Sequence, residues 1–183
     1  MKINDLKNKA YQIAVNHDWH ERELSTDHCL MLVITELSEA IEADRKENYC
    51  YRKISSTDRY NSFPTSESRF IKEFEAFVKD TVEDELSDAI IRLLDWYGMK
   101  NIIIEEEAFE EEVLIEYASI YKKKTFTESI FNIIQEISRR DVGIALLKIF
   151  GFAKHLDIDI LWFINQKMRY NECRSYRHGG KMY

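Results

Sequence analysis

The chain has 183 residues, 45% apolar and 32% charged, with one proline and five glycines. This is enough apolar material for a core, and it excludes collagen-like, linker-rich and turn-dense all-β architectures. A net charge of −7, from 26 Lys and Arg against 33 Asp and Glu, argues against non-specific nucleic-acid binding, because phosphate backbones attract basic surfaces.

The three cysteines, Cys29, Cys50 and Cys173, stand far apart without a Cys-x-x-Cys pair. Neither a zinc knuckle nor a disulfide framework is expected, and reduced thiols fit a cytoplasmic protein. The opening residues carry no apolar signal core. No window approaches the ~18 uncharged apolar residues of a transmembrane helix.

Residues 3–16 place Ile3, Leu6, Ala10, Ile13 and Ala14 near the i, i+3, i+4 rhythm of an amphipathic helix, which His17-Asp18-Trp19-His20 breaks. Thr26 or Asp27 is expected to cap a second helix over 27–47, with Leu30, Val33, Ile34, Leu37 and Ile41 as its core stripe. Residues 48–66 have the most loop-like composition. A third helix is predicted over 67–97 with an interruption near Asp80-Thr81, and Gly98 is expected to end it. It carries Phe70, Phe74, Phe77 and Val78, then Leu86, Ala89, Ile90, Leu93 and Leu94.

Residues 98–124 read as an insertion. Six glutamates in the eight positions 105–112 read as a charged insertion, helical or irregular, and suggest a solvated face, and the segment 101–104 reads as a short strand or as irregular chain. Helices resume at 125–139, 141–155 and 157–173, followed by a basic tail from Arg174 through Arg177, His178 and Lys181. With no repeat and no linker, the reading is a single domain over 1–183, an all-α helical bundle.

Two acid pairs stand out by position. Glu36 and Glu39 are three apart, as are Glu85 and Asp88, so each pair shares one helical face beside an apolar stripe. The same spacing also occurs on ordinary solvated faces. If two such helices pack antiparallel, the acids cluster, and clustered half-buried anions need a cation. All-oxygen ligands suit Mg²⁺. A di-iron bundle needs Glu-x-x-His on two helices, and no histidine here has Glu three residues before it, which favours magnesium or manganese over iron.

Glycine-rich phosphate loops, His-Glu-x-x-His and Gly-x-Ser-x-Gly are absent. Cys29 reads as a buried structural thiol rather than a nucleophile paired with its neighbour His28. Lys167, Asn171 and Arg174 recur at i, i+4 and i+7 near the end of the last helix. They suit either phosphate binding or the compensation of a helix dipole.

Glu36-Leu-Ser-Glu39 and Asp84-Glu-Leu-Ser-Asp88 resemble the two halves of the EExxE…ExxD signature of the MazG-like, all-α nucleoside triphosphate pyrophosphohydrolases, a superfamily that includes dimeric dUTPases and phosphoribosyl-ATP pyrophosphohydrolases. Lys167-x₃-Asn171-x₂-Arg174 resembles the end of that family's last core helix. Thr35 stands where the first Glu of EExxE would be, and the gap between the two halves is long. The resemblance implies a four-helix core and hydrolysis of a (deoxy)nucleoside triphosphate to monophosphate and pyrophosphate. It implies Mg²⁺, with Mn²⁺ as a substitute, held by Glu36, Glu39, Glu85 and Asp88 as the catalytic acids, one of them or a neighbour such as Asp95 serving as general base. Lys167, Asn171 and Arg174 would bind the substrate, Trp19 or Tyr170 could stack on its base, and a homodimer or homotetramer is expected. The alternative is a non-catalytic helical protein that binds a partner through its acidic insertion.

Overall fold

The computed structural model describes residues 2–22, 24–50 and 66–174. These are all-helical, with no strand among them: α1 (Ile3–Asn16), α2 (Thr26–Arg45), α3 (Glu67–Phe77), α4 (Val82–Met99), α5 (Glu111–Ser119), α6 (Phe126–Ser138), α7 (Val142–His155) and α8 (Ile160–Glu172). Among them no helix is long and apolar enough to cross a membrane. Most of the predicted 48–66 loop and the tail beyond Arg174 lie outside the described residues.

Helix α4 is the axle of the fold. It packs against α1, α2, α7 and α8, and Leu86, Ala89, Ile90, Leu93 and Leu94 are wholly buried. Three contacts order its pairing with α2: Trp96 reaches Thr26, Arg92 reaches Glu36, and Glu85 lies with Glu39. Numbers fall along one helix as they rise along the other, so the two run antiparallel. α7 carries the second layer, with α5 and α6 packed on it. A smaller core joins α3 to α8 through Phe70, Phe74, Val78, Phe163 and Tyr170, together with Cys50. Phe74 stacks on Tyr170 at 4.4 Å between ring centroids.

The predicted interruption at Asp80-Thr81 separates α3 from α4, and the Thr81 hydroxyl caps α4 by accepting from the Asp84 N–H at 3.3 Å. Ser25, rather than Thr26 or Asp27, caps α2, accepting from the His28 N–H at 3.2 Å. Gly98 does not end α4. It lies inside the helix, where a Cβ would fall 2.4 Å from Tyr11 Cβ, so its missing side chain lets α1 approach. The turn-out comes three residues later at Asn101, with φ 53°.

Asn101 belongs to a set. Asp18, Glu47, Asp80, Asn101, Arg140 and Asp157 all take left-handed φ between 53° and 61° just past the ends of α1, α2, α3, α4, α6 and α7. With few glycines available, the chain ends its helices with polar residues in this conformation.

Five of the six glutamates over 105–112 are exposed, as a solvated face requires, while Glu106 is half-buried and ties the 98–124 segment to α1. Residues 101–104 form no strand; Asn4 holds them by donating from Nδ2 to the Ile104 carbonyl at 2.7 Å and accepting the Ile104 N–H at 3.1 Å. Glu106 sits in a short 3-10 turn (Glu106–Phe109) and accepts from the Ile3 and Asn4 N–H groups at 2.9 and 3.1 Å. A carboxylate on free N–H groups at a helix start is favourable.

Candidate metal centre

The antiparallel pairing of α2 and α4 brings three of the four signature acids together. Carboxylate oxygens of Glu36, Glu39 and Glu85 all lie within 4.8 Å of one another. Glu36 is 7% exposed and Glu85 5%, while Glu39 is exposed and leaves the cluster open on one side. A solvated face therefore does not describe these acids: two of the three point inward.

Asp88 adjoins this group and does not join it. Its Oδ2 is held 2.7 Å from the Lys167 ammonium. Lys167 also lies 2.8 Å from Asp84 Oδ1 and 2.9 Å from Asp84 Oδ2. Asp84 is buried at 1% exposure, and its Oδ2 accepts the Asp80 N–H at 3.0 Å. Asp80, Asp84 and Glu85 form a second acid group of similar spacing, but Lys167 already provides its positive charge.

The electrostatics follow from the packing. Burial, then repulsion from Asp84 and Asp88, pushes the Glu85 carboxyl up to about 9. Burial and Asp88 push Glu36 up to about 6, against the pull of Arg92, whose Nε donates to Glu36 Oε1. For Lys167, burial alone would lower the pKa, but Asp88 and Asp84 hold it above its ordinary value. Five carboxylates, Glu36, Glu39, Asp84, Glu85 and Asp88, thus face two cations, Arg92 and Lys167. A site of hard oxygen donors with excess negative charge, open on one side, fits a divalent cation that keeps some water or ligand oxygens. Part of α4's acid run is eased locally, since Glu83, Asp84 and Glu85 lie in its first turn, where the helix dipole favours negative charge.

The predicted phosphate-binding set is split. Lys167 faces inward and is engaged by carboxylates. Asn171 is 7% exposed, and its side-chain oxygen has no hydrogen-bond partner among the described residues. The Arg174 guanidinium lies 5.7 Å from the centroid of the Tyr170 ring. Tyr170 itself is 5% exposed and donates to Glu75 at 2.8 Å, so its ring belongs to the smaller core and offers no open stacking face. Trp19 is half-buried.

Several functional-looking residues escaped the sequence reading. Arg92 lies four after Asp88 on the same helical face, a spacing that could have flagged it. Asp84 precedes the Glu85 and Asp88 pair without an i, i+3 acid partner on its own helix, so spacing does not single it out. Glu83, 1% exposed, accepts the Cys50 N–H at 2.9 Å, a pairing that crosses from another segment and leaves no local sequence signal. Asp95, already a candidate general base from sequence, stands one turn on from Arg92 and pairs with His20 at 2.8 Å. Cys29 is half-buried, not buried as expected, and burial and the Asp95 carboxylate push its thiol up, which disfavours the thiolate a nucleophile needs. No family model, curated protein or solved structure matches the chain.

Proposed function

We propose that this chain is a Mg²⁺-dependent pyrophosphohydrolase that splits a (deoxy)nucleoside triphosphate into monophosphate and pyrophosphate. The observation that carries the proposal is the convergence of Glu36, Glu39 and Glu85 across two antiparallel helices. The link to nucleotides comes from the resemblance of the same segments to the MazG-like signature.

When bound, Mg²⁺ supplies positive charge against the phosphate oxygens and favours the ionised form of water. The residues divide the remaining work. Glu36 and Glu85 form the buried wall of the site, and Glu39 its solvent side. Glu85, pushed up to about 9, holds its proton at neutral pH and must release it for its oxygens to act as ligands. Asp88, tied through Oδ2 to Lys167, keeps Oδ1 available to accept a proton from the attacking water and is our choice of general base. Lys167 holds Asp88 in place. Assembly into a homodimer or homotetramer belongs to the same proposal.

The test is product analysis on a panel of canonical and deoxy triphosphates with and without Mg²⁺. Monophosphate plus pyrophosphate, formed only with metal, is the expected result. Diphosphate plus orthophosphate would identify a different hydrolase. No turnover of any triphosphate would contradict the proposal and favour a binding protein.

A further inference from the structure

The two cations at the acid cluster are placed differently. The Lys167 side chain is 6% exposed, and its ammonium has two oxygens of Asp84 and one of Asp88 within 2.9 Å. It donates to Asp84 Oδ2, and its burial between two carboxylates commits it inward, although Asp84 Oδ1 accepts no hydrogen bond from a described residue. Arg92 binds Glu36 through Nε alone. Its side chain is 38% exposed, and its two terminal amino groups make no hydrogen bond to any described residue. Arg92 also follows Asp88 by four residues, one turn along the face of α4 that meets α2. A partly exposed arginine therefore stands at the edge of an acid cluster, with most of its donors uncommitted among the described residues.

We propose that Arg92, and not Lys167, is the cation this chain presents to phosphate oxygens of a ligand held at Glu36, Glu39 and Glu85. Nε stays on Glu36, the terminal amino groups take the phosphate oxygens, and Lys167 remains the buried counter-ion of Asp84 and Asp88. The planar guanidinium fork matches phosphate oxygens in pairs, and it is more weakly hydrated than an ammonium. Because one group bridges a metal-binding carboxylate and the phosphate, it also fixes the distance between them. This inference rests on the nucleotide reading above and deepens it by naming the polyphosphate contact.

Inorganic tripolyphosphate with Mg²⁺ is the probe, measured by calorimetry on the full chain, with Mg²⁺ alone as the control titration. In Arg92→Met, tripolyphosphate affinity should fall roughly 10–100-fold, the loss of one charge-assisted contact. Mg²⁺ alone should bind at least as tightly as in the wild type, since a positive charge has left its vicinity. Arg92→Lys should recover part of the loss. Should Arg92→Met fail to fold, Arg92→Gln retains an N–H donor for Glu36 and gives the same readout. Unchanged tripolyphosphate affinity would overturn the proposal, as would no tripolyphosphate binding by the wild type. An equal loss for Mg²⁺ alone would also overturn it, making Arg92 only a positioning residue for Glu36. A wild type that binds tripolyphosphate but hydrolyses no nucleotide would sink the hydrolase reading and leave Arg92's assignment standing. Hydrolysis by the wild type with normal tripolyphosphate binding in Arg92→Met would do the reverse.

Discussion

Lys167 and Glu85 show how burial changes what a charged side chain can do. The Lys167 ammonium neutralises Asp84, which is 1% exposed, so removing it strands a charge in the interior. Lys167→Met should cost about 3–5 kcal/mol of stability, measured by denaturant unfolding, and adding Asp84→Asn should restore much of it. A loss below about 1 kcal/mol would place the ion pair in solvent instead. Glu85 is the converse case, an acid whose ionisation the fold resists. Its carboxyl, at about 9, and that of Glu36, at about 6, both lie above the ordinary 4.5. Between these limits the folded protein holds protons that the unfolded chain has released, so folding stability falls as pH rises. The metal-free protein should therefore be most stable, as far as these two groups decide, below about pH 4.5, losing stability through about 6 and on to about 9. Thermal melting in chelator across this range should show a falling Tm. Excess Mg²⁺ should oppose the fall and release protons as it binds. A Tm that rises with pH in chelator would contradict the placement of these acids.

Among the elements, the glycines of α4 and α7 decide how closely neighbours approach. A Cβ on Gly151 would lie 2.4 Å from Tyr117 Cβ and 2.8 Å from the Tyr117 carbonyl carbon, so α5 sits directly on α7 at this point. Alanine normally favours a helix by about 1 kcal/mol over glycine. Here the clash is with the base of a side chain and with backbone, which cannot swing away, and Gly151→Ala should be destabilising by roughly 1–3 kcal/mol. An unchanged or raised denaturant midpoint would show that α5 yields. Apolar periodicity made most helices legible, because the stripe facing a core repeats wherever the core lies: Leu30, Val33 and Leu37 in α2, and Leu86, Ala89, Ile90 and Leu93 in α4, are all buried. Gly98 was misread because a helix-ending glycine and a close-approach glycine look alike until the neighbour, Tyr11, is known. The glutamates over 105–112 carry no apolar stripe to choose between helix and irregular chain; α5 begins within them at Glu111, while Glu106 binds the start of α1.

Across the whole molecule, α4 joins the site to the core: one face packs into the interior and another presents acids to α2 and α8. The i, i+3 acid pairs were legible because helical spacing fixes which residues share a face. What spacing could not supply was the partner across each gap. Lys167, Asn171 and Arg174 share a face in sequence, yet Lys167 turns to Asp84 and Asp88 while Arg174 lies against Tyr170. Arg92 is likewise informative only once Glu36 stands opposite it. Whether α2 and α4 together build a divalent-cation site is decided by calorimetric titration of Mg²⁺ into the wild type and Glu85→Gln. Saturable binding by the wild type, with proton release, is expected. Glu85→Gln should lose roughly 10-fold or more in affinity, the removal of one charged ligand, in a variant that melts no lower than the wild type in chelator. Equal Mg²⁺ affinity in the two proteins, or no binding by either, would contradict the site.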